Sequence, residues 1–275
     1  MTNHTITGGG NTKIFLTETG NKKGIPIVFI HGFNQCRLVW NKQLHSDLAA
    51  DFRLVSMDMR GHGSSEKPRD AYGDSALWAD DVRGVIEELE LVNPILAGWS
   101  YGGMVICDYL RYYGDDKIGG VNLVGARLRV GTPEAAAETG AEYLPIRANL
   151  YSENLAESIE SLQQFIRLCT YAEPTDEDLY FFLGFNAAVP SYVRSGLMNR
   201  KLDNTDILGA FKKPFLVTHG AKDRIVLPSH AEHNIKHLKN VRQSFYENAG
   251  HNTFWEDAER FNRELREFAF ECDRD

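Results

Sequence analysis

Cysteine and basic charge are both scarce in this sequence. Its four cysteines, Cys36, Cys107, Cys169 and Cys272, lie far apart and form no C-x-x-C pair, so we expect neither a metal site nor a disulfide framework. Lysine and arginine number 30 against 38 aspartates and glutamates, and the formal net charge is −8. A nucleic-acid-binding surface would need a basic stripe, so a nucleic-acid partner is not expected.

Long apolar runs are also missing. No stretch approaches the ~18 residues of a membrane span, and the polar start "MTNHTITGGGNTK" has no apolar signal-peptide segment. We therefore expect a cytoplasmic protein without a membrane partner. The glycines at 8–10 precede no strand–helix unit with the dinucleotide fingerprint, so no nucleotide cofactor is expected. With 43% hydrophobic and 25% charged residues, the chain has a globular composition.

Short apolar segments alternate with longer helical patterns along the chain. Strands are predicted at 13–19, 25–31, 52–58, 93–99, 118–125, 214–220 and 242–250, and helices at about 37–50, 75–91, 101–113, 229–239 and 254–271. Several strands are apolar on both faces, as in parallel strands covered by helices on each side. The alternation predicts an α/β fold with a doubly wound, mostly parallel sheet.

One interval breaks this alternation. Almost ninety residues separate the predicted strand that ends near Gly125 from the next one, which starts at Pro214. One crossover helix needs far fewer. Helical patterns fill the interval at 133–151, 155–169, 176–189 and 192–200. We interpret residues 131–210 as a helical cap inserted into an α/β core formed by 1–130 and 211–275.

The stretch "ILAGWSYGGMV" (95–105) places Ser100 between a predicted strand and a predicted helix. A serine raised clear of the sheet on such a tight turn adopts a strained backbone with positive φ. Strand and helix then approach too closely for side chains at Gly98 and Gly102, and Gly103 relieves crowding against the next strand. The Gly-x-Ser-x-Gly spacing therefore predicts that Ser100 is a catalytic nucleophile.

A serine hydroxyl needs an adjacent base that is itself oriented by an acid. After this type of turn the chain order is serine, acid, histidine. Asp223 follows a predicted strand in "LVTHGAKDRIVLP", and His251 follows the last strand in "FYENAGHNTFWED". Both positions fall at the carboxyl ends of strands, where α/β sheets bind ligands. We therefore predict a catalytic Ser100, Asp223 and His251.

Other carboxylates fit the role of the acid less well. The alternative acid position, just after the strand at 118–125, holds Gly125, Ala126 and Arg127 and no carboxylate. The acids nearer to His251 in sequence are Glu247, Glu256 and Asp257. We interpret these three as solvated charges or helix caps.

An oxyanion hole is also expected, because the tetrahedral intermediate carries negative charge. One donor should be the backbone N–H of Tyr101, which follows the serine. The second should come from the loop "HGFNQC", most simply from the N–H of Phe33.

Five segments together resemble the α/β-hydrolase superfamily over nearly the whole chain: "FIHGF" (29–33), "DMRGHGSS" (58–65), "GWSYGG" (98–103), "HGAKDRIV" (219–226) and "NAGHNTFWED" (248–257). The similarity is to capped serine hydrolases, which include carboxylesterases and lactonases. It implies a cap inserted after the sixth strand, catalytic Ser100, Asp223 and His251, and an active site between core and cap. The serine at 100 departs from the aspartate that haloalkane dehalogenases and epoxide hydrolases carry there.

The favoured hypothesis is a cofactor-independent serine hydrolase that cleaves an ester or lactone of a small, largely apolar compound. Four alternatives stay open: an acyl-homoserine lactonase, a cofactor-free perhydrolase, a carbon–carbon bond hydrolase and a small-molecule receptor with this fold. A carbon–carbon hydrolase of ring-fission products should show polar or basic pocket groups for its acidic dienol substrate. A receptor should bind a ligand with negligible turnover.

Several other residues have structural interpretations. His31 is expected to be a buried, hydrogen-bonded histidine that braces the oxyanion loop, and Asp58, Arg60 and His62 are expected to shape a loop near the pocket. His230, His233 and His237 are interpreted as a solvated helix face and not as metal ligands. Two or three of the cap aromatics should touch substrate, and these are Tyr143, Tyr151, Phe165, Tyr171, Tyr180, Phe181, Phe182 and Phe185.

Overall fold

The structure, a computed structural model, describes residues 1–274. Its strands are β1 (Thr2–Thr7), β2 (Lys13–Gly20), β3 (Pro26–Ile30), β4 (Arg53–Met57), β5 (Ile95–Trp99), β6 (Gly120–Val124), β7 (Arg129–Val130), β8 (Leu202–Asp203), β9 (Phe215–Gly220) and β10 (Val241–Tyr246). Eight of them form one sheet in the order β1-β2-β4-β3-β5-β6-β9-β10. The six strands from β4 to β10 in that order pair in parallel, while β1 and β2 pair antiparallel at one edge. The predicted mostly parallel α/β sheet is confirmed.

Helices cover both sides of this sheet. They are α1 (Asn41–Leu44), α2 (Leu48–Asp51), α3 (Ser75–Glu88), α4 (Tyr101–Tyr113), α5 (Pro133–Ala137), α6 (Leu144–Arg147), α7 (Leu155–Leu168), α8 (Asp176–Ala187), α9 (Ser191–Met198), α10 (Pro228–Ile235), α11 (Thr253–Glu256) and α12 (Ala258–Cys272). No helix within residues 1–274 is long and apolar enough to cross a membrane.

Period-two alternation divides the core into two layers. Val28 and Ile30 of β3 pack into one apolar cluster, and Ile27 and Phe29 pack into another, all four at 0% exposure. Successive strand side chains point to opposite faces, so a strand buried on both faces must be apolar throughout. Full burial of each such side chain contributes about 1.5–3 kcal/mol.

The amphipathic helix α12 shows how local sequence sets an element. Asp257 caps its amino end by accepting a hydrogen bond from the N–H of Arg260. Phe261, Leu265 and Phe268 recur at helical spacing and are buried against the sheet. The helix therefore covers the strands whose carboxyl ends carry the site.

The structure differs from the sequence prediction at several places. Strand β1 was not predicted, because its polar "TNHTIT" forms a half-exposed edge strand. The predicted helix 37–50 is interrupted, since the Ser46 hydroxyl accepts from the N–H of Leu48 and donates to the carbonyl of Gln43. The predicted strand 242–250 ends at Tyr246. The helical pattern 133–151 is divided into α5, α6 and a short 3₁₀ turn.

Residues 131–210, which we name the inserted segment, follow β6 and contain α5 to α9. The short strands β7 and β8 pair antiparallel where the chain leaves and re-enters the rest of the fold. We name residues 1–130 and 211–274 the core. Arg200 at the end of the segment binds Asp108 of α4 in a buried ion pair, with nitrogen–oxygen distances of 2.8 and 2.9 Å. The segment is therefore fastened to the helix that begins beside Ser100.

Candidate active site

Ser100 lies on the turn between β5 and α4. Its backbone has φ 53° and ψ −115°, a left-handed conformation that costs a non-glycine residue on the order of 1–3 kcal/mol. The surrounding fold holds this strain, because the N–H of Ser100 donates to the carbonyl of Val124 at 2.9 Å. The carbonyl of Ser100 accepts from the N–H of Gly103 and of Arg127, each at 3.0 Å. The predicted positive-φ turn is confirmed.

The glycines around Ser100 are required by contact. A Cβ at Gly98 would lie 2.6 Å from the side chain of Ile106 and 2.8 Å from the backbone of Gly102. A Cβ at Gly102 would overlap the carbonyl oxygen of Ile30, and one at Gly103 would lie 2.6 Å from the Cβ of Ala126. Neighbouring backbone and side-chain atoms thus fill the space that a side chain at these positions would need.

Asp223 and His251 meet in a buried hydrogen bond. Nδ1 of His251 lies 2.6 Å from Oδ2 of Asp223, and the two residues are 1% and 3% exposed. Among residues 1–274, Nε2 of His251 has no hydrogen-bond partner. An imidazole that is hydrogen-bonded to a carboxylate through one nitrogen can accept a proton at its second nitrogen, which here has no hydrogen-bond partner.

The environment of Asp223 favours its ionised form. Burial alone would raise the pKa of this carboxyl, but the neighbouring His251 and His219 outweigh burial and lower the pKa below its ordinary value. Oδ1 also accepts the N–H groups of Ile225 and Val226 at 2.8 and 2.9 Å. The carboxylate is therefore held in place from the backbone as well as by the histidines.

His251 lies beside the serine turn. A Cβ at Gly125, which directly follows β6, would lie 3.1 Å from Nδ1 of His251. The indole of Trp99, the residue before the serine, donates to the carbonyl of His251 at 3.0 Å. The structure therefore brings the loops that carry Ser100, Asp223 and His251 to one edge of the sheet.

The predicted oxyanion donors flank the same position. Tyr101 is the first residue of α4, so its N–H has no acceptor within the helix. Phe33 follows Gly32, and a Cβ at Gly32 would lie 3.0 Å from the Cβ of Ser100. The "HGFNQC" loop therefore touches the serine turn. Phe33, Ser100 and Tyr101 all line one cavity.

That cavity has a volume of about 250 Å³ and lies between the core and the inserted segment. Apolar side chains dominate its lining, among them Phe33, Val130, Phe165, Met198 and Ile225. Of the eight aromatics singled out in the sequence, Tyr143 and Phe165 reach it. That two or three of them touch substrate stays a prediction.

Glu256 has a role that sequence reasoning missed. Its carboxylate accepts the N–H of Gly250 at 2.7 Å and the N–H groups of Tyr171 and Ala172 at 2.7 and 3.3 Å. It therefore ties the His251 loop to the inserted segment, and it is neither a solvated charge nor a helix cap. The expectations for the other two acids hold, since Glu247 is 80% exposed and Asp257 caps α12.

The predictions for two other histidines, His31 and His230, have different outcomes. His31 is fully buried, and its Nε2 accepts the N–H of Met59 at 3.0 Å, as expected of a residue that braces the loop. The prediction for His230 was wrong. It is fully buried between Glu138, 2.6 Å from its Nδ1, and the N–H of Leu128, because α10 packs against the segment after β6. Over the described residues, no group of His, Cys, Asp and Glu could hold a metal ion.

Arg60 and Asp58 are structural, as expected. The Arg60 guanidinium forms a buried ion pair with Asp81 at 2.7 Å, and Asp58 binds Arg37 at the same distance. His62 is fully buried, and burial lowers its pKa to about 3. None of these residues lines the cavity beside Ser100.

Comparison with known proteins agrees with this geometry. Residues 27–264 match the model of the alpha/beta hydrolase family. The esterase RhEst1 from Rhodococcus sp. ECU1013 is 34% identical and superposes with a TM-score of 0.93 over 98% of each chain. The chain therefore belongs to the alpha/beta hydrolase family, and the prediction of an enzyme of this superfamily is confirmed.

Two curated relatives extend the comparison. The AB hydrolase superfamily protein YisY of Bacillus subtilis is 28% identical over 97% of this chain and 98% of its own length. The non-heme chloroperoxidase CPO-A1 of Kitasatospora aureofaciens is 26% identical over 93% of this chain and 95% of its own length. The similarity thus spans the core and the inserted segment alike.

Proposed function

We propose that this protein is a serine esterase that cleaves an ester or lactone of a small compound through an acyl-enzyme. The observation that carries the proposal is the buried Asp223–His251 hydrogen bond beside a serine on a positive-φ turn that lines a largely apolar cavity. The solved esterase with 34% identity supports the reaction class.

In the proposed mechanism, Oγ of Ser100 attacks the ester carbonyl while Nε2 of His251 takes its proton. Asp223 keeps the imidazole in the tautomer with its proton on Nδ1 and stabilises the imidazolium. The N–H groups of Phe33 and Tyr101 bind the oxyanion. The imidazolium then gives its proton to the leaving alkoxide. His251 next removes a proton from water, which attacks the acyl-enzyme carbonyl. The imidazolium returns that proton to Oγ of Ser100 as the bond between Oγ and the acyl carbon breaks, which releases the acid and restores the free enzyme.

We further propose that the inserted segment acts as a cap. It supplies Tyr143, Arg147, Phe165 and Met198 to the cavity, opposite Ser100 of the core. A cavity of about 250 Å³ suits a compact substrate and not a polymer.

The nucleophile is tested by replacement and by labelling. Ser100→Ala should lower kcat for short-chain esters by about 10⁴-fold or more, because it removes the proposed nucleophile. The unfolding temperature should stay unchanged, because backbone hydrogen bonds hold the turn. A fluorophosphonate probe should label the parent at Ser100. The control Ser64→Ala alters an exposed serine and should keep parental turnover. Parental activity in Ser100→Ala, or labelling at another residue, would refute the assignment.

A perhydrolase is a second candidate, because one relative is a non-heme chloroperoxidase. In that reaction hydrogen peroxide replaces water in attacking the acyl-enzyme, which yields a peracid from acetate and peroxide. Halide oxidation that requires acetate, peroxide and Ser100 would support it. Ester hydrolysis without that halide oxidation would exclude the perhydrolase and support the esterase.

A further inference from the structure

The cavity beside Ser100 contains two arginines that the proposed mechanism does not use. Its lining includes Arg127, which follows β6, and Arg147, which ends α6. Within the described chain no aspartate or glutamate lines the same cavity. The lining of the pocket therefore carries two cationic side chains and no anionic one, although the whole chain has a formal charge of −8.

Arg147 has free hydrogen-bonding capacity. Its side chain is half-buried, and its Nε lies 3.4 Å from the sulfur of Met198, a weak acceptor. It forms no ion pair with any carboxylate among residues 1–274. A guanidinium carries five N–H donors, so most of those of Arg147 remain available to a molecule in the cavity.

Arg127 is held by neutral acceptors only. Its terminal nitrogens donate to the carbonyls of Ala135 and Ile225, each at 3.2 Å, and to the hydroxyl of Thr139 at 3.1 Å. Charge-assisted bonds to carboxylates are shorter, about 2.7–2.9 Å. The three bonds fix the position of the guanidinium without neutralising its charge.

The acids near Arg127 are already occupied. Asp223 binds His251 and the backbone of Ile225, while Glu138 binds His230 and Arg129. Burial lowers the pKa of Arg127, and the positive charge of Arg147 lowers it further, while Tyr143, Asp223 and Glu138 act in the opposite direction. Two neighbouring cations in a partly buried cavity repel each other, so an anion between them would be stabilised.

We propose that the substrate of this site is an ester that carries a carboxylate a few atoms from the scissile bond, bound by Arg147 and Arg127. This inference rests on the proposed esterase function and narrows its substrate class. The apolar part of the cavity would contact the chain between the ester and the anion. A guanidinium binds a carboxylate through two parallel N–H donors, which fixes the ester relative to Ser100.

Two pairs of esters test the proposal, each differing only by a carboxylate in place of a methyl group. Monomethyl glutarate is compared with methyl pentanoate, and 4-acetoxybutanoate with butyl acetate, by titrating the acid released at constant pH. We expect kcat/KM of the anionic member to exceed that of its neutral partner by about tenfold or more in at least one pair. The pair that responds identifies whether the anion belongs to the acyl or the alcohol side.

Variants locate the preference. Arg147→Gln should reduce the anionic-to-neutral ratio of kcat/KM by about tenfold, and Arg127→Gln should reduce it in the same direction. The matched control Arg83→Gln removes one positive charge from α3, outside the cavity, and should preserve the ratio. Ratios near one in the parent for both pairs, or a ratio that both pocket variants leave within twofold, would overturn the proposal.

Binding separates this inference from the proposed function. Calorimetric titration of Ser100→Ala with monomethyl glutarate should detect binding about tenfold tighter than with methyl pentanoate, and Arg147→Gln in that background should remove the difference. If the parent enzyme binds the anionic ligand more tightly, turns over an acidic ring-fission dienol and cleaves neither pair of esters, that result would support the anion site and overturn the proposed esterase function. Equal binding of the two ligands would overturn the anion site even where Ser100 cleaves neutral esters.

Discussion

The core and the inserted segment differ in the kind of chemistry they contain. All nine histidines lie in the core, together with Ser100 and Asp223, and the inserted segment has no histidine. In the lining of the cavity the proportions reverse, because nine of the fifteen residues belong to the inserted segment. The core therefore holds the proposed catalytic groups, while the inserted segment supplies most of the cavity lining.

This difference implies that the rate of the chemical step and the selectivity for substrate can vary independently. The proposed catalytic groups lie at the ends of parallel strands whose spacing the sheet fixes. The inserted segment is joined to the core by apolar packing and by many polar contacts, among them Arg200–Asp108, Arg194–Asn34 and Glu256 with the backbone at 171–172. Substitutions in the core should change the rate of the chemical step, whereas substitutions in the inserted segment should change binding and selectivity.

The largest effect should come from the proposed base His251 and from Asp223, which orients it. His251→Ala should lower kcat by about 10⁴-fold or more, and Asp223→Asn by about 10³–10⁴-fold with a larger residual rate, because the asparagine keeps the shape but loses the charge. Steady-state ester hydrolysis with circular dichroism measures activity and folding together. Parental kcat in a folded His251→Ala would show that another group is the base.

Acid should destabilise the core next. Burial lowers the pKa of His31 and of His62 to about 3, and that of His230 to about 4, from an ordinary value near 6.5. Below pH 6.5 the unfolded chain binds protons that the native state does not. The free energy of unfolding should therefore fall by about 8 kcal/mol, close to 3 kcal/mol for each histidine, as pH drops from 6.5 to 4. Asp223, whose pKa is lowered, adds a loss at still lower pH.

Urea unfolding at several pH values checks this expectation. His237→Gln alters an exposed histidine and should leave the pH profile unchanged. A free energy of unfolding that stays constant between pH 6.5 and 4 would contradict the burial argument. Hydrogen exchange should show that protection is lost in the core strands together with the global transition.

A buried arginine should give an intermediate effect within the inserted segment. Arg194 donates to the side chains of Asn34 and Ser158 and to the carbonyls of Leu150 and Asn186, at 2.7 to 2.9 Å. Arg194→Met leaves these acceptors unpaired and should cost about 3 kcal/mol of stability.

Because Asn34 adjoins Phe33, Arg194→Met should also lower kcat/KM. Thermal unfolding and ester kinetics provide the measurements. Arg167→Met, at a half-exposed arginine of the same segment paired with Glu173, should stay within about 0.5 kcal/mol of the parent. Equal stability of the two variants would show that the Arg194 network does not fasten the segment.

The smallest effect should come from the cavity wall. The Phe165 ring lies 6.2 Å from that of Phe33 and 5.8 Å from that of Tyr143. Phe165→Leu should raise KM about threefold and lower kcat by less, with a loss of about 1 kcal/mol in stability, because it removes contact area without touching Ser100. The control Phe270→Leu changes an exposed ring on α12 and should leave KM alone. A fall in kcat that exceeds the rise in KM would mean that the wall also orients the reacting groups.

Much of the core could be predicted from the sequence because its signals are local. Apolar runs, helix caps and the Gly-x-Ser-x-Gly turn each depend on residues within a few positions of one another. Strand β1 was missed because an edge strand buries only one residue strongly, Ile6. His230 was misread because helical spacing shows that residues share a face but not what packs against that face.

The order of the elements and the positions of Ser100, Asp223 and His251 just after strands were determined by the sequence itself, since strand ends and tight turns have short-range chemical signatures. The charge of the cavity was decided only by the tertiary structure. Arg127 and Arg147 are two of many arginines in the chain, and Glu138 and Asp223 could have neutralised them. Folding directs those carboxylates to histidines and to Arg129 instead. That pairing between distant residues leaves two cations beside the serine.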